Sequence, residues 1–136
     1  MKIKYAHAHM EVAHVYAKLS YCKRKQVGCV IVKDDRLISI GFNGTPPGWE
    51  NVCEDDNNTT KREVFHAEAN AVAKLAKSHE SGAGATLFVT CAPCIDCAKL
   101  IVQSGIAEVF YDEEYRGTDG VDFLRKCGVI VTQLHV

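Results

Sequence analysis

The sequence lacks any apolar run approaching the ~20 residues needed to span a bilayer. Its first 18 positions are broken by Lys2, Lys4, Glu11 and three histidines, so the apolar core of a secretory signal is missing too. A cytoplasmic protein is the resulting expectation, in the host cytoplasm if the source is viral, with no membrane partner. An excess of one charge is also absent, since 16 Lys and Arg stand against 17 Asp and Glu for a net −1. A nucleic acid as the main ligand therefore has no global electrostatic support. Prolines number three, and no stretch is proline-rich, repetitive or of low complexity. With no linker to divide it, the chain is expected to form one domain, residues 1–136.

What is present fits a globular protein: 47% of residues are apolar and 24% charged. Seven cysteines are many for a reducing compartment, and the odd number argues against a complete set of intrachain disulfides. Clustered cysteines in such a setting more often hold metal or do chemistry. The spacing predicts a helix over 6–19, with Ala6, Met10, Ala13 and Ala17 as its apolar stripe. Gln26–Val32 and Leu37–Phe42 read as a β-hairpin across a short polar link. Asn43–Gly48 breaks regular structure, and 53–62 is polar enough for a surface loop. Helices are then expected at 64–77, 94–104 and 119–127, with strands at 85–90, 108–111 and 129–134. The first of these helices has Asn70, Lys74 and Lys77 on one polar face, open to solvent, a neighbour or a nucleotide. The late β-α-β units predict parallel pairing against an antiparallel hairpin at the start. The fold class is therefore α/β, a three-layer α/β/α arrangement on a mixed five-stranded sheet.

Two short segments carry the chemistry, His66-Ala67-Glu68 and Pro93-Cys94-Ile95-Asp96-Cys97. In the first turn of a helix Cys94 and Cys97 point the same way, where free N–H groups and the helix dipole favour thiolates. Pro93 suits the entrance of that helix. Two thiolates and the imidazole of His66 make a three-ligand zinc site with a position left for water. Such an ion lowers the pKa of its water toward ~7. Glu68 could share that site only if His66 lies at the very start of its helix, and it would then move protons. Other readings of the cysteines are a structural zinc half-site, a redox pair and the opening of an iron–sulfur run. The last would want a cysteine at 101, where Ile101 stands.

The pattern H-x-E followed by P-C-x-x-C resembles the zinc-dependent cytidine and deoxycytidylate deaminases, and the resemblance covers nearly the whole chain. The segments Gly41-Phe42-Asn43-Gly44-Thr45-Pro46, His66–Ala71 and Thr90–Lys99 are most similar to the deoxycytidylate branch. This resemblance implies zinc on His66, Cys94 and Cys97, with Glu68 as the general acid/base. It implies dCMP as substrate, dUMP and ammonia as products, and a place in the supply of thymidylate. It further implies a nucleotide held by Asn43 at the sugar, by Ala67 and Ala92 at the base, and by Tyr115 and Arg116. Arg24 and Lys25, in the one dense basic run, either bind the phosphate or simply coat a solvated loop. Gly41, Phe42 and Gly44 are candidates for an allosteric nucleotide site. By the same resemblance the chain would be a hexamer, activated by dCTP and inhibited by dTTP with Mg2+.

Some viral relatives add a structural zinc, of which Cys22 and Cys53 could be remnants, but no histidine lies between Cys53 and His66. A second zinc is therefore not expected. Cys29 and Cys127 read as small core residues, and His7, His9 and His14 as solvent-facing or interfacial. Competing functions on the same fold are a free cytidine or deoxycytidine deaminase, a tRNA adenosine deaminase and a guanine or pterin deaminase. A zinc-stabilised module without catalysis is the remaining class.

Overall fold

A computed structural model describes residues 1–136. Nine elements follow in the expected order. They are α1 (Ile3–Ala17), β1 (Gly28–Lys33), β2 (Arg36–Phe42), α2 (Ala67–Leu75), β3 (Thr86–Cys91), α3 (Ile95–Gln103), β4 (Glu108–Glu113), α4 (Asp119–Lys126) and β5 (Ile130–Gln133). The five strands form one sheet in the order β2-β1-β3-β4-β5. The pairs β1–β2 and β1–β3 are antiparallel, while β3–β4 and β4–β5 are parallel. The sheet is thus mixed, as the sequence predicts. Asp34 and Asp35 both have positive φ, 51° and 60°, which is what a two-residue hairpin turn requires.

Period-two alternation sends each central strand into two cores. Cys29 and Ile31 of β1 join Leu87, Val89 and Val109 on the face covered by α2, α3 and α4. Val30, Val32, Phe88 and Phe110 point the other way, onto Ala6, Met10 and Ala13 of α1. One helix therefore covers one face and three cover the other. Gly41 explains itself by packing: a Cβ there would lie 2.3 Å from the carbonyl oxygen of Ala67, so β2 can seat against α2 only without a side chain. On the polar face of α2, Asn70 and Lys74 donate to the carbonyls of Phe42 and Ile40. They saturate groups on the edge strand β2 rather than standing free.

The cysteines depart from expectation in two places. Cys22 and Cys53 are joined as a disulfide, their Cα atoms 5.1 Å apart, inside a small buried cluster with Val64. The odd number of cysteines hid this pair, because the other five stay free. Cys29 is buried as expected, but Cys127 is exposed, since it caps the C-terminus of α4 on the solvent side. Among the N-terminal histidines, His9 tilts against the ring of Phe88 at 5.3 Å. His14 donates to Asp112 at 2.7 Å.

Candidate active site

The carboxyl ends of β3 and β4 and the N-termini of α2 and α3 meet at one edge of the molecule. Open α/β sheets place ligand sites at such ends. His66 is the N-cap of α2 and Cys94 the N-cap of α3, each with extended backbone (φ −76°, ψ 153° and φ −73°, ψ 171°). Capping geometry resolves the condition set by the sequence. His66 stands just before the helical turn, so Glu68, two residues on, need not point to the opposite side. The helix of residues 64–77 expected from alanine content accordingly starts later, at Ala67.

The donor atoms of His66, Cys94 and Cys97 lie within 4.8 Å of one another. His66 Nδ1 is 3.3 Å from Cys97 Sγ and 3.5 Å from Cys94 Sγ. Hydrogen bonds from the Cys97 thiol and from His66 pull the Cys94 thiol down to about 3, making it a thiolate. Its bond to Cys94, reinforced by burial, holds Cys97 far above the ordinary thiol range. His66 is raised by its bond to Cys94, which outweighs its partial burial. One imidazole and two sulfurs converging in this way form a donor set suited to zinc, and the three residues leave a fourth position free.

Glu68 is 4% exposed and pairs with no lysine or arginine. Burial pushes its carboxyl up to about 7, a rise that the backbone N–H at the helix start and the charge of His66 only moderate. It lines a cavity of about 500 Å3 together with His66 and Cys94. The same cavity contains every residue that the sequence assigned to the substrate, namely Arg24, Lys25, Asn43, Ala67, Ala92, Tyr115 and Arg116. Gly41, Phe42 and Gly44, the candidates for an effector, do not line it. Gly44 instead bridges to Phe65 by two backbone hydrogen bonds that steady the approach to His66.

Several of these side chains are already engaged. The amide of Asn43 accepts from the Val27 N–H at 2.9 Å and donates to the Lys25 carbonyl at 2.8 Å, so it organises the loop between α1 and β1. Lys25 forms an ion pair with Glu113, a bond that raises the lysine above its ordinary range. The Arg116 guanidinium lies 5.6 Å from the centre of the Tyr115 ring. Sequence reasoning missed Val27, Thr59, Thr60, Val64 and Glu114, which also line the cavity. Thr59 and Thr60 fall in a stretch that reads only as polar, and Val27 and Val64 read only as parts of a strand and a helix. Cys91 lies on the wall as well, a buried thiol pushed up to about 11 by desolvation.

Residues 3–113 match the family of the cytidine and deoxycytidylate deaminase zinc-binding region. The chain belongs to this family. A dCMP deaminase from the cyanophage S-TIM5, solved in complex with dCMP and dUMP, superposes with a TM-score of 0.96. It is 44% identical, over 98% of this chain and 99% of its own. Deoxycytidylate deaminase of Enterobacteria phage T4 is 32% identical across 90% of this chain and 86% of its own length. The Saccharomyces cerevisiae deoxycytidylate deaminase is 36% identical over 91% of this chain, which spans 43% of that longer protein. Membership in a zinc-binding deaminase family agrees with the donor set at the starts of α2 and α3. No helix is long and apolar enough to cross a membrane.

Proposed function

We propose that residues 1–136 act as a single domain that hydrolyses dCMP to dUMP and ammonia. The observation that carries this reading is the placement of one buried, unpaired carboxylate, Glu68, beside the His66–Cys94–Cys97 group. Glu68, His66 and Cys94 line a cavity that also contains the cationic residues Arg24, Lys25 and Arg116. An aminopyrimidine would take the end near Glu68, and its 5′-phosphate the cationic end.

His66, Cys94 and Cys97 would hold one zinc per chain, which when bound supplies the Lewis acidity that makes water nucleophilic near neutral pH. The proton work belongs to Glu68. Its carboxylate accepts a proton from the attacking water and passes it to N3 of the ring as the oxygen adds at C4. The same carboxylate then moves the proton of the new C4 hydroxyl to the amino nitrogen, and ammonia leaves. A carboxyl pushed up to about 7 suits both directions of transfer. Ala67 and Ala92 leave room for the flat ring, and Tyr115 stands at the wall as a stacking surface. Asn43 meets the sugar with its amide held in place by Val27 and Lys25.

Hexamer formation, activation by dCTP and inhibition by dTTP with Mg2+ complete the proposal and rest on kinship alone. The decisive experiment follows ultraviolet absorbance of zinc-counted protein with dCMP, deoxycytidine, cytidine, adenosine and guanine in parallel. Rapid loss of dCMP alone is expected. Preference for a nucleoside or a purine would overturn the substrate assignment, and full zinc with no turnover would leave a non-catalytic module. Sedimentation with and without dCTP and dTTP tests the assembly, and a monomer indifferent to both would end that part.

A further inference from the structure

Glu54 is a buried carboxylate, 9% exposed, that the deamination chemistry does not use. No lysine or arginine side chain pairs with it. Its Oε2 instead accepts from two successive backbone N–H groups, those of Lys23 at 3.0 Å and Arg24 at 3.2 Å. Consecutive amides closing on one anion hold a turn in a fixed shape. Next to this contact, the Cys22–Cys53 disulfide joins the same two segments covalently. The pinned turn leads directly to Arg24 and Lys25, whose side chains reach the cavity.

The loop between α1 and β1 is thus gripped from two sides. On the inner side, Asn43 holds Val27 and Lys25. Ser20 Oγ donates to the Asn43 carbonyl at 2.8 Å. On the outer side, Cys53 and Glu54 hold residues 22–24, and the Cys22 N–H also donates to Ser20 Oγ at 3.1 Å. The outer grip packs on Val64 at the cavity wall but makes no hydrogen bond to His66, Glu68, Cys94 or Cys97. Loosening it would free the cationic end of the cavity and leave the end that does the chemistry in place.

We propose that the Cys22–Cys53 bond and the Glu54 carboxylate form a clamp that positions Arg24 and Lys25 for the substrate's 5′-phosphate, so that affinity for this phosphate depends on the redox state of the cysteine pair. The inference rests on the assignment of Arg24 and Lys25 to that phosphate. Opening the clamp adds two electrons and two protons to the Cys22–Cys53 bond, leaving two thiols. A dithiol reductant supplies them and closes to its own disulfide. Glu54 is a positioning residue in this scheme and does not touch the substrate.

The test compares oxidised protein, protein reduced by a dithiol, C22S/C53S, Glu54→Ala and Glu54→Gln, each with its zinc counted. KM and kcat are measured for dCMP and kcat/KM for deoxycytidine. Reduction, the double serine variant and Glu54→Ala should each raise KM for dCMP about tenfold, equivalent to ~1.4 kcal/mol. Throughout, kcat and the deoxycytidine value should hold steady. Glu54→Gln should recover most of the affinity, because its side-chain carbonyl can accept the same two N–H groups. C22S/C53S should no longer respond to the reductant. Equal KM in oxidised and reduced protein would sink the clamp, as would equal losses on both substrates. Free Cys22 and Cys53 thiols in the oxidised protein, or a second zinc held by them, would do the same. An R24A/K25A variant separates the two levels. If it raises KM for dCMP while the clamp variants do not, only the clamp fails; if it has no effect, the phosphate assignment fails first.

Discussion

Glu68 stands two residues after a helix cap, beside free backbone N–H groups that favour an anion, yet desolvation dominates and pushes it up to about 7. Replacing it with glutamine keeps the shape and removes the proton carrier. Glu68→Gln should therefore retain one zinc per chain while turnover of dCMP falls by about 10²- to 10⁴-fold or more. Metal analysis beside initial rates checks this. Loss of zinc in parallel with activity would make Glu68 a ligand or a folding residue instead. The proposed role of Glu68 could be read from the sequence because H-x-E is tied to a chemistry. Glu54 and Asp112 were not legible, since a buried acid held by backbone amides or by histidines looks in sequence like any solvated one.

At the scale of elements, the site depends on how closely helix starts can be brought together. Gly120, near the N-terminus of α4, lies against the cap of α3. A Cβ there would stand 2.0 Å from the carbonyl oxygen of Pro93 and 2.9 Å from that of Cys94. Both are backbone atoms, of Pro93 and Cys94, at the start of the turn that carries the two candidate ligands Cys94 and Cys97. Gly120→Ala should push α4 from α3, lower stability by about 1–3 kcal/mol, and make zinc easier to remove with a chelator. Gly117→Ala, where nothing lies within 4 Å, is the control and should change neither. Chelator titration and thermal unfolding of the two variants measure the difference. All nine elements and their order were readable from helical spacing, alanine content and apolar or β-branched runs. Their ends were not, because caps such as His66 and Cys94 take extended backbone by tertiary demand. Residues 53–61 form a loop tied by the Asp55 carboxylate to the N–H groups of Asn57 and Thr59. Thr59 and Thr60 reach the cavity only through that fold, which no periodicity announces.

For the whole molecule, the sheet face covered by a single helix depends on ties at both chain ends. The apolar runs of β1 and β3 and the β-α-β order made a sheet covered on both faces readable in advance, but not the polar closure between α1 and the C-terminus. Asp112, buried at the end of β4, accepts from His14 Nε2 of α1 at 2.7 Å and from His135 Nδ1 at 3.0 Å. Burial alone would raise its pKa, but the two histidine bonds outweigh it and hold the carboxyl below its ordinary value of 3.8. A carboxyl lowered in the folded state stabilises the protein fully above the unfolded pKa and loses that effect as pH falls through the folded one. Asp112→Asn should therefore lower stability by about 1 kcal/mol across pH 5–8. Both histidine contacts lie partly in solvent, which limits the effect. The gap between variant and wild type should close only below about pH 4. Urea unfolding at a series of pH values decides it: a gap that grows toward acid would mean that the carboxylate is strained in the fold, not held there by His14 and His135.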